Sequence, residues 1–153
     1  MSRFREWIPV IVWAAAIFWF STDTFSGEHT RPVIVGVLHT LMPSAREATL
    51  LKLHALIRKG AHVVEYFLFG ILLFRAIRAP QDGWQFRWAC LAILFAALYA
   101  ASDEFHQSFV PSRGPAVADV LLDTGGATVA QLATWLVLRW GNHRRREVGT
   151  PVS

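Results

Sequence analysis

The stretch Arg58-Lys59-Gly60-Ala61-His62-Val63-Val64-Glu65-Tyr66, followed by the uncharged run FLFGILLF at residues 67–74, decides the fold of this chain. The second half carries no charge and predicts a helix in lipid. The first half places Lys59, His62 and either Glu65 or Tyr66 three or four residues apart, so on a helix they share one face. Polar side chains at the mouth of a membrane helix need partners, and we expect later segments to supply them.

Apolar residues are clustered along the chain. They make up 54% of the 153 residues, whereas charged residues make up only 17%, against about 25% in a soluble domain. A soluble bundle built from such segments would keep too little polar surface. Four runs contain no Asp, Glu, Lys or Arg and are apolar on every face, as helices in lipid are, at residues 10–22, 66–74, 88–102 and 124–138.

These runs predict an all-α fold, an integral membrane four-helix bundle. The four helices are predicted at about residues 7–25, 61–77, 86–102 and 116–138. Between the first two, Val33, Ile34, Val37 and Leu38 suit an interfacial helical segment. Ser44 and Glu47 have the spacing of a capping box, and the helix after them could run with little break into the second membrane helix. Residues 1–140 would form one membrane domain, and residues 141–153 a basic, disordered tail.

The distribution of basic residues predicts the orientation. Arginines concentrate before the first apolar run, in the turn after the second and in the tail, where Arg144, Arg145 and Arg146 stand together. The positive-inside rule therefore predicts that both termini are cytoplasmic and that the chain is multi-pass. The net charge of +4 is explained by this topology, and we predict no nucleic-acid partner. Cys90 is the single cysteine, which excludes a disulfide framework.

With this topology, polar side chains from all four predicted membrane helices meet on the outer side. His62 and Glu65 are spaced i, i+3, and the pairs Asp103–Gln107 and Asp119–Asp123 are spaced i, i+4, so each pair points one way from its helix. Ionisable groups in membrane helices usually face the bundle interior and are candidates for function. The whole set comprises Ser21, Thr22, Asp23, Lys59, His62, Glu65, Asp103, Glu104, His106, Gln107, Arg113, Asp119 and Asp123.

The ordered combination of these residues resembles the VanZ-like family of small bacterial membrane proteins. It is carried by Lys59-x-x-His62-x-x-Glu65-Tyr66, Asp103-Glu104-x-His106-Gln107, Pro111-x-Arg113, and Asp119 followed by Gly126, within residues 21–138. The resemblance implies a protein of the bacterial cytoplasmic membrane and cell envelope, with a link to glycopeptide resistance of the teicoplanin type. It implies no reaction.

The chain departs from the family pattern at two positions. Asp123 stands where we expect asparagine, and Asp23 stands where we expect glutamine. The segment 26–59 matches no motif of the family. The extra carboxylate at Asp123 makes the predicted pocket more acidic than the pattern implies.

Three functions fit the polar cluster, and we favour the first. It could be an outward-facing pocket that binds a lipid headgroup, a lipoglycopeptide or another envelope ligand. It could instead be an intramembrane enzyme acting on a lipid-linked substrate, with acid–base candidates His62, Glu65, Asp103 and Glu104. It could also be purely structural, with Lys59 and Arg113 pairing the acids. The predicted ligand-binding residues are Lys59, His62, Glu65, Tyr66, Asp103, Glu104, Gln107, Arg113, Asp119 and Asp123.

A metal site and a proton relay or transporter are less favoured alternatives. Asp103-x-x-His106 and His62-x-x-Glu65 each offer one histidine and one acid, but in a different order from the Glu-x-x-His pairs of bundle metal sites. Four helices without an internal repeat are few for a transporter. We predict no metal and no cofactor, and membrane lipids as partners.

Overall fold

The computed structural model describes residues 4–23, 26–109 and 117–148, with side chains as far as residue 141. Within these residues all regular structure is helical, which confirms the all-α prediction. The five helices are α1 (Phe4–Phe20), α2 (Gly27–Leu41), α3 (Glu47–Arg78), α4 (Phe86–Gln107) and α5 (Val117–Val148).

Three helices, α3, α4 and the part of α5 up to Gly141, are long and apolar enough to cross a membrane. Their outer surfaces expose large apolar side chains such as Leu94, Leu98, Leu121 and Leu136, as expected for a lipid-facing surface. At 17 residues, α1 is shorter than the roughly 20 residues that a bilayer requires. Its place as a fourth membrane helix and the cytoplasmic termini therefore stay predictions.

The second predicted membrane helix, residues 61–77, is the second half of α3, which begins at Glu47 and therefore includes the helix expected after Ser44. No proline interrupts residues 47–60, and a side chain at Gly60 would meet open space, so nothing in this stretch breaks the helix. The segment between the first two predicted membrane helices therefore contains two helical parts. The expected helical segment is α2, and residues 47–59 already belong to α3.

The first predicted helix ends earlier and the third ends later than expected. α1 stops at Phe20 instead of residue 25, and just after its end the Thr22 hydroxyl donates to the Trp19 carbonyl oxygen. α4 continues past residue 102 to Gln107. Asp103 and Gln107 are buried and hydrogen-bonded within the protein, so their polarity does not end the helix.

The last helix also runs further than predicted. α5 extends past residue 138 to Val148, so residues 141–148 of the predicted disordered tail are helical. Gly141 faces open space, and no proline follows until Pro151, so the helix meets no steric barrier. Residues 149–153 of that tail lie outside the described residues.

Small residues set the contact between α3 and α5. A Cβ atom at Gly126 would lie 2.6 Å from the Val63 carbonyl oxygen, so the two backbones touch there. Two turns further along α3, Gly70 packs against Ala127 and Ala130 in the same way. Small residues at such positions let membrane helices approach closely.

Long-range hydrogen bonds join α1 and α5 to α3, and α4 to α1. The Trp13 indole N–H donates to the Glu65 carbonyl oxygen at 3.0 Å, and Gln131 Nε2 donates to the Gly70 carbonyl at 2.9 Å. The Tyr99 hydroxyl donates to the Ala14 carbonyl at 2.7 Å. Three neighbouring helices are thereby held around α3.

The close approach at Gly126 gives a first testable prediction. We expect Gly126→Ala to lower the free energy of unfolding by about 1–3 kcal/mol, because the added methyl group cannot fit against the α3 backbone. Thermal unfolding of the purified protein in a non-ionic detergent would measure the effect. Gly125→Ala is the matched control: no atom lies within 4 Å of its Cβ position, so the gain in helix propensity should leave stability equal or higher. Equal melting temperatures for the two variants would contradict the close contact.

Candidate functional site

Asp103 is the best-connected acid among the predicted site residues. It is 5% exposed near the end of α4. Its Oδ2 accepts a hydrogen bond from the Ser21 hydroxyl at 2.6 Å and another from Gln107 Nε2 at 2.7 Å. Gln107 Nε2 also lies 3.3 Å from Ser21 Oγ. The end of α1 is thus tied to the end of α4 by a buried polar triad.

Helices α3 and α5 contribute a second group, centred on His62. Its Nδ1 lies 3.7 Å from Asp123 Oδ1 and 3.9 Å from Glu65 Oε2. Asp123 is almost fully buried, whereas His62 and Glu65 are each 19% exposed. Gly126 lies one turn after Asp123, so the close contact of α5 with Val63 brings these side chains together. The imidazole therefore lies beside two carboxylates on different helices.

Tyr66 connects the two groups. It is fully buried, and its phenol interacts electrostatically with Asp103, Asp123 and Glu65. Its ring packs against Phe69, with ring centroids 6.1 Å apart. The predicted residues of α3, α4 and α5 therefore form one cluster with Ser21, which follows α1. We call it the acidic cluster: Ser21, His62, Glu65, Tyr66, Asp103, Glu104, Gln107, Asp119 and Asp123.

Carboxylates dominate this cluster. Asp123 interacts electrostatically with Asp103, Asp119, Glu65 and Glu104. Glu104 is 8% exposed, and Asp119 is half-buried. Gathering acids in a protected place is costly unless protons or positive groups accompany them. The cluster is therefore suited to a cation or to a ligand rich in hydrogen-bond donors.

The two basic residues predicted for the site, Lys59 and Arg113, are not part of the acidic cluster as the structure describes it. The Lys59 side chain is exposed and forms no ion pair with the carboxylates that the structure describes. Arg113 lies outside the described residues. His62 is thus the member of the described cluster that can supply positive charge.

Three buried oxygen atoms of the acidic cluster have no hydrogen-bond partner among the described residues: Tyr66 Oη, Asp103 Oδ1 and Asp123 Oδ1. A buried polar atom without a partner costs about 1–3 kcal/mol. Such atoms also occur elsewhere, at Trp84 Nε1 and Gln131 Oε1, but the acidic cluster brings three of them together from α3, α4 and α5. Each can accept a hydrogen bond, and the tyrosine can also donate one.

Sequence reasoning did not assign Ser21 to the ligand-binding residues, although the structure places it at the centre of the site. Its signal was its place among polar residues at the end of the first apolar run. Two others from that polar set lie apart: Asp23 is exposed, 3.9 Å from His29, and the His106 ring packs against Phe18. Among the described residues, no three His, Cys, Asp or Glu side chains are arranged to hold a metal ion.

The buried Ser21–Asp103 bond gives the second prediction. We expect Ser21→Ala to lower the free energy of unfolding by about 1–3 kcal/mol, because a buried carboxylate loses a donor. Thr22→Ala is the control: its hydroxyl bonds only the nearby Trp19 carbonyl and is exposed, so the change should stay within about 0.5 kcal/mol. Chemical unfolding in detergent would compare the two. If Ser21→Ala behaves like Thr22→Ala, the buried triad does not stabilise the fold.

Comparison with known proteins assigns the part of the chain that carries the acidic cluster to one family. The family model described as VanZ/LLP1 matches residues 6–138. No curated protein matches the chain, and no solved structure does. The matched range includes every residue of the acidic cluster and, apart from residues 139–141, all three candidate membrane spans. This chain therefore belongs to the VanZ/LLP1 family.

Proposed function

We propose that the acidic cluster binds the amine-bearing headgroup of a membrane lipid or of a lipoglycopeptide. The observation that carries the proposal is the set of three unpartnered oxygens, Tyr66 Oη, Asp103 Oδ1 and Asp123 Oδ1, inside a group of carboxylates. A primary ammonium group carries three donors and one positive charge. It would satisfy the three oxygens and reduce the repulsion between the acids at the same time.

The location of the cluster supports a ligand that comes from the membrane. Asp103 and Gln107 lie in the last turns of α4, and Asp119 and Asp123 lie in the first turns of α5. Both helices can span a bilayer, so these residues lie near one end of the spans. We propose that this end faces outward from the bacterial cytoplasmic membrane, with both termini inside, since arginines concentrate at the other end.

The proposal predicts that ligand binding and folding respond differently to mutation. Tyr66→Phe removes an oxygen that has no partner among the described residues, so it should leave the stability of the unliganded protein unchanged or slightly higher. Ligand affinity should fall about tenfold with Tyr66→Phe, and at least as much with Asp123→Asn, since hydrogen bonds to charged groups contribute about 1.5–3 kcal/mol.

The measurement is ligand-dependent thermal stabilisation of the purified protein. Phosphatidylethanolamine and a lipoglycopeptide are the two test ligands, and phosphatidylcholine, whose quaternary ammonium donates no hydrogen bond, is the comparison. Glu6→Gln is the control variant, since Glu6 pairs with Arg75 away from the cluster. Whichever ligand stabilises wild type and Glu6→Gln, but not Tyr66→Phe, identifies the source. Equal stabilisation of all variants by all lipids would refute the proposal.

A role in teicoplanin-type glycopeptide resistance follows if the ligand is a lipoglycopeptide. The expected result is that expression of the wild-type chain in a susceptible bacterium raises the inhibitory concentration of teicoplanin. Expression of Asp123→Asn, at the same membrane level, should lose most of that increase. Equal resistance from the wild-type chain and from Asp123→Asn would show that the acidic cluster has no part in glycopeptide resistance.

An intramembrane enzyme is the second candidate. The specific observation in its favour is that His62 Nδ1 lies within 4 Å of both Glu65 and Asp123, where carboxylates can orient an imidazole as a general base. The Ser21 hydroxyl, however, donates to Asp103. Release of a product from a bound lipid-linked substrate, abolished by His62→Gln, would favour this candidate over binding alone.

A further inference from the structure

Helix α2 packs along the first half of α3, apart from the acidic cluster, and the two helices run in opposite directions. At one end, the Arg58 guanidinium lies against Gly27 in the first turn of α2. One turn along, Thr30 Oγ1 lies 3.4 Å from His54 Nε2. The N-terminal end of α2 therefore lies beside residues 54–58 of α3.

Basic groups gather at this end of the helix pair. His54 is 6% exposed and interacts electrostatically with both Arg58 and Arg31. None of the three forms an ion pair with a carboxylate in the part of the chain that the structure describes. Two guanidinium groups beside one imidazole repel each other unless an anion lies between them. We call Arg31, His54 and Arg58 the basic cluster.

An open groove of about 620 Å³ continues from Arg31 between the two helices. Its walls include Val35 of α2 and Leu50 and Leu51 of α3. Gly36 also lines it, and no atom lies within 4 Å of the position of a Cβ there, so the missing side chain keeps the groove open. Glu47 is the carboxylate among its lining residues, at the far end from the basic cluster.

We propose that this groove binds an anionic phospholipid, with the phosphate at the basic cluster and one acyl chain along Val35, Leu50 and Leu51. Charge and shape both support this occupant. Arginine is well suited to phosphate recognition. Beyond Arg31 the groove is lined mainly by apolar residues, with His39 and Glu47 as the polar ones. Its volume lies within the range of ligand pockets, about 300–1,000 Å³. Leu50 and Leu51 precede the apolar part of α3, a helix long and apolar enough to cross a membrane, so in this proposal the groove lies at the membrane surface, where a lipid can enter it.

The groove site is basic, whereas the acidic cluster is negatively charged. In this proposal the two sites bind their ligands independently. An anionic headgroup would be repelled by Asp123 and its neighbours, and an ammonium group would be repelled by Arg31 and Arg58. The membrane-spanning helix α3 contributes to both, through His54 and Arg58 on one side of Lys59 and through His62, Glu65 and Tyr66 on the other.

The test is the affinity of phosphatidylglycerol for the purified protein in non-ionic detergent, measured by thermal stabilisation. We expect Arg31→Gln and Arg58→Gln each to weaken binding about tenfold, as loss of a charge-assisted hydrogen bond should. Lys52→Gln is the matched control, since Lys52 is an exposed cation on α3 that does not line the groove. It should bind phosphatidylglycerol as wild type does.

A second variant tests the apolar half of the site without changing charge. Gly36→Leu fills the groove, and the open surroundings of Gly36 should let the protein fold normally. We expect it to abolish phosphatidylglycerol binding, and we expect inorganic phosphate and phosphatidylcholine to bind wild type at least about tenfold more weakly than phosphatidylglycerol does. Asp123→Asn should leave this binding unchanged, which separates its outcome from that of the proposed function.

Three results would overturn the proposal. Equal stabilisation of wild type, Arg31→Gln, Arg58→Gln and Lys52→Gln would indicate a general lipid shell. Undiminished phosphatidylglycerol binding by Gly36→Leu would show that the acyl chain does not lie in the groove. Equal stabilisation by inorganic phosphate would reduce the site to an anion site without a lipid.

Discussion

The contact between the backbones of α3 and α5 at Gly126 is the constraint on which the rest of the structure depends. At this point the α5 backbone lies directly against the Val63 carbonyl, with no room for a side chain. In a membrane, helices gain little from burying apolar surface against each other, so close packing of small residues has to hold them together. The contact at Gly126 also decides which residues face one another, since Asp123 lies one turn before it and His62 one residue before Val63. Packing and site are therefore set by the same few residues.

The acidic cluster shows how a membrane bundle can hold several carboxylates. The end of α1, the end of α4 and the start of α5 meet the middle of α3 there, and α1 and α4 are tied by the bonds of Ser21 and Gln107 to Asp103. That arrangement satisfies one oxygen of Asp103 and leaves the other without a described partner. A cluster that existed only to join the helices would be more stable if every polar atom were paired. The incomplete pairing is the physical reason for regarding the cluster as a binding site.

Helix α3 gives the molecule two chemically opposite environments. Its first half carries Arg58 and His54 against α2, and its second half carries Glu65 and Tyr66 against α4 and α5. Separate sites of opposite charge on one rigid helix would let the protein hold an anionic lipid beside a cationic ligand. Each site would repel the ligand of the other site, because that ligand carries the same sign of charge as the site, and this repulsion would make binding selective.

The sequence by itself determined the helical class, the apolar runs that became α3, α4 and α5, and most of the site. The reason is that spacing of three and four residues places His62 with Glu65, Asp103 with Gln107 and Asp119 with Asp123 on common helix faces. Hydropathy located the helices but not their ends, since Asp103 and Gln107 remain helical when tertiary partners satisfy them. Only the tertiary structure decided that Ser21 bonds Asp103, that Lys59 stays exposed, and that the first part of α3 forms a groove with α2. These features depend on distances between residues far apart in the chain, and local spacing contains no information about such distances.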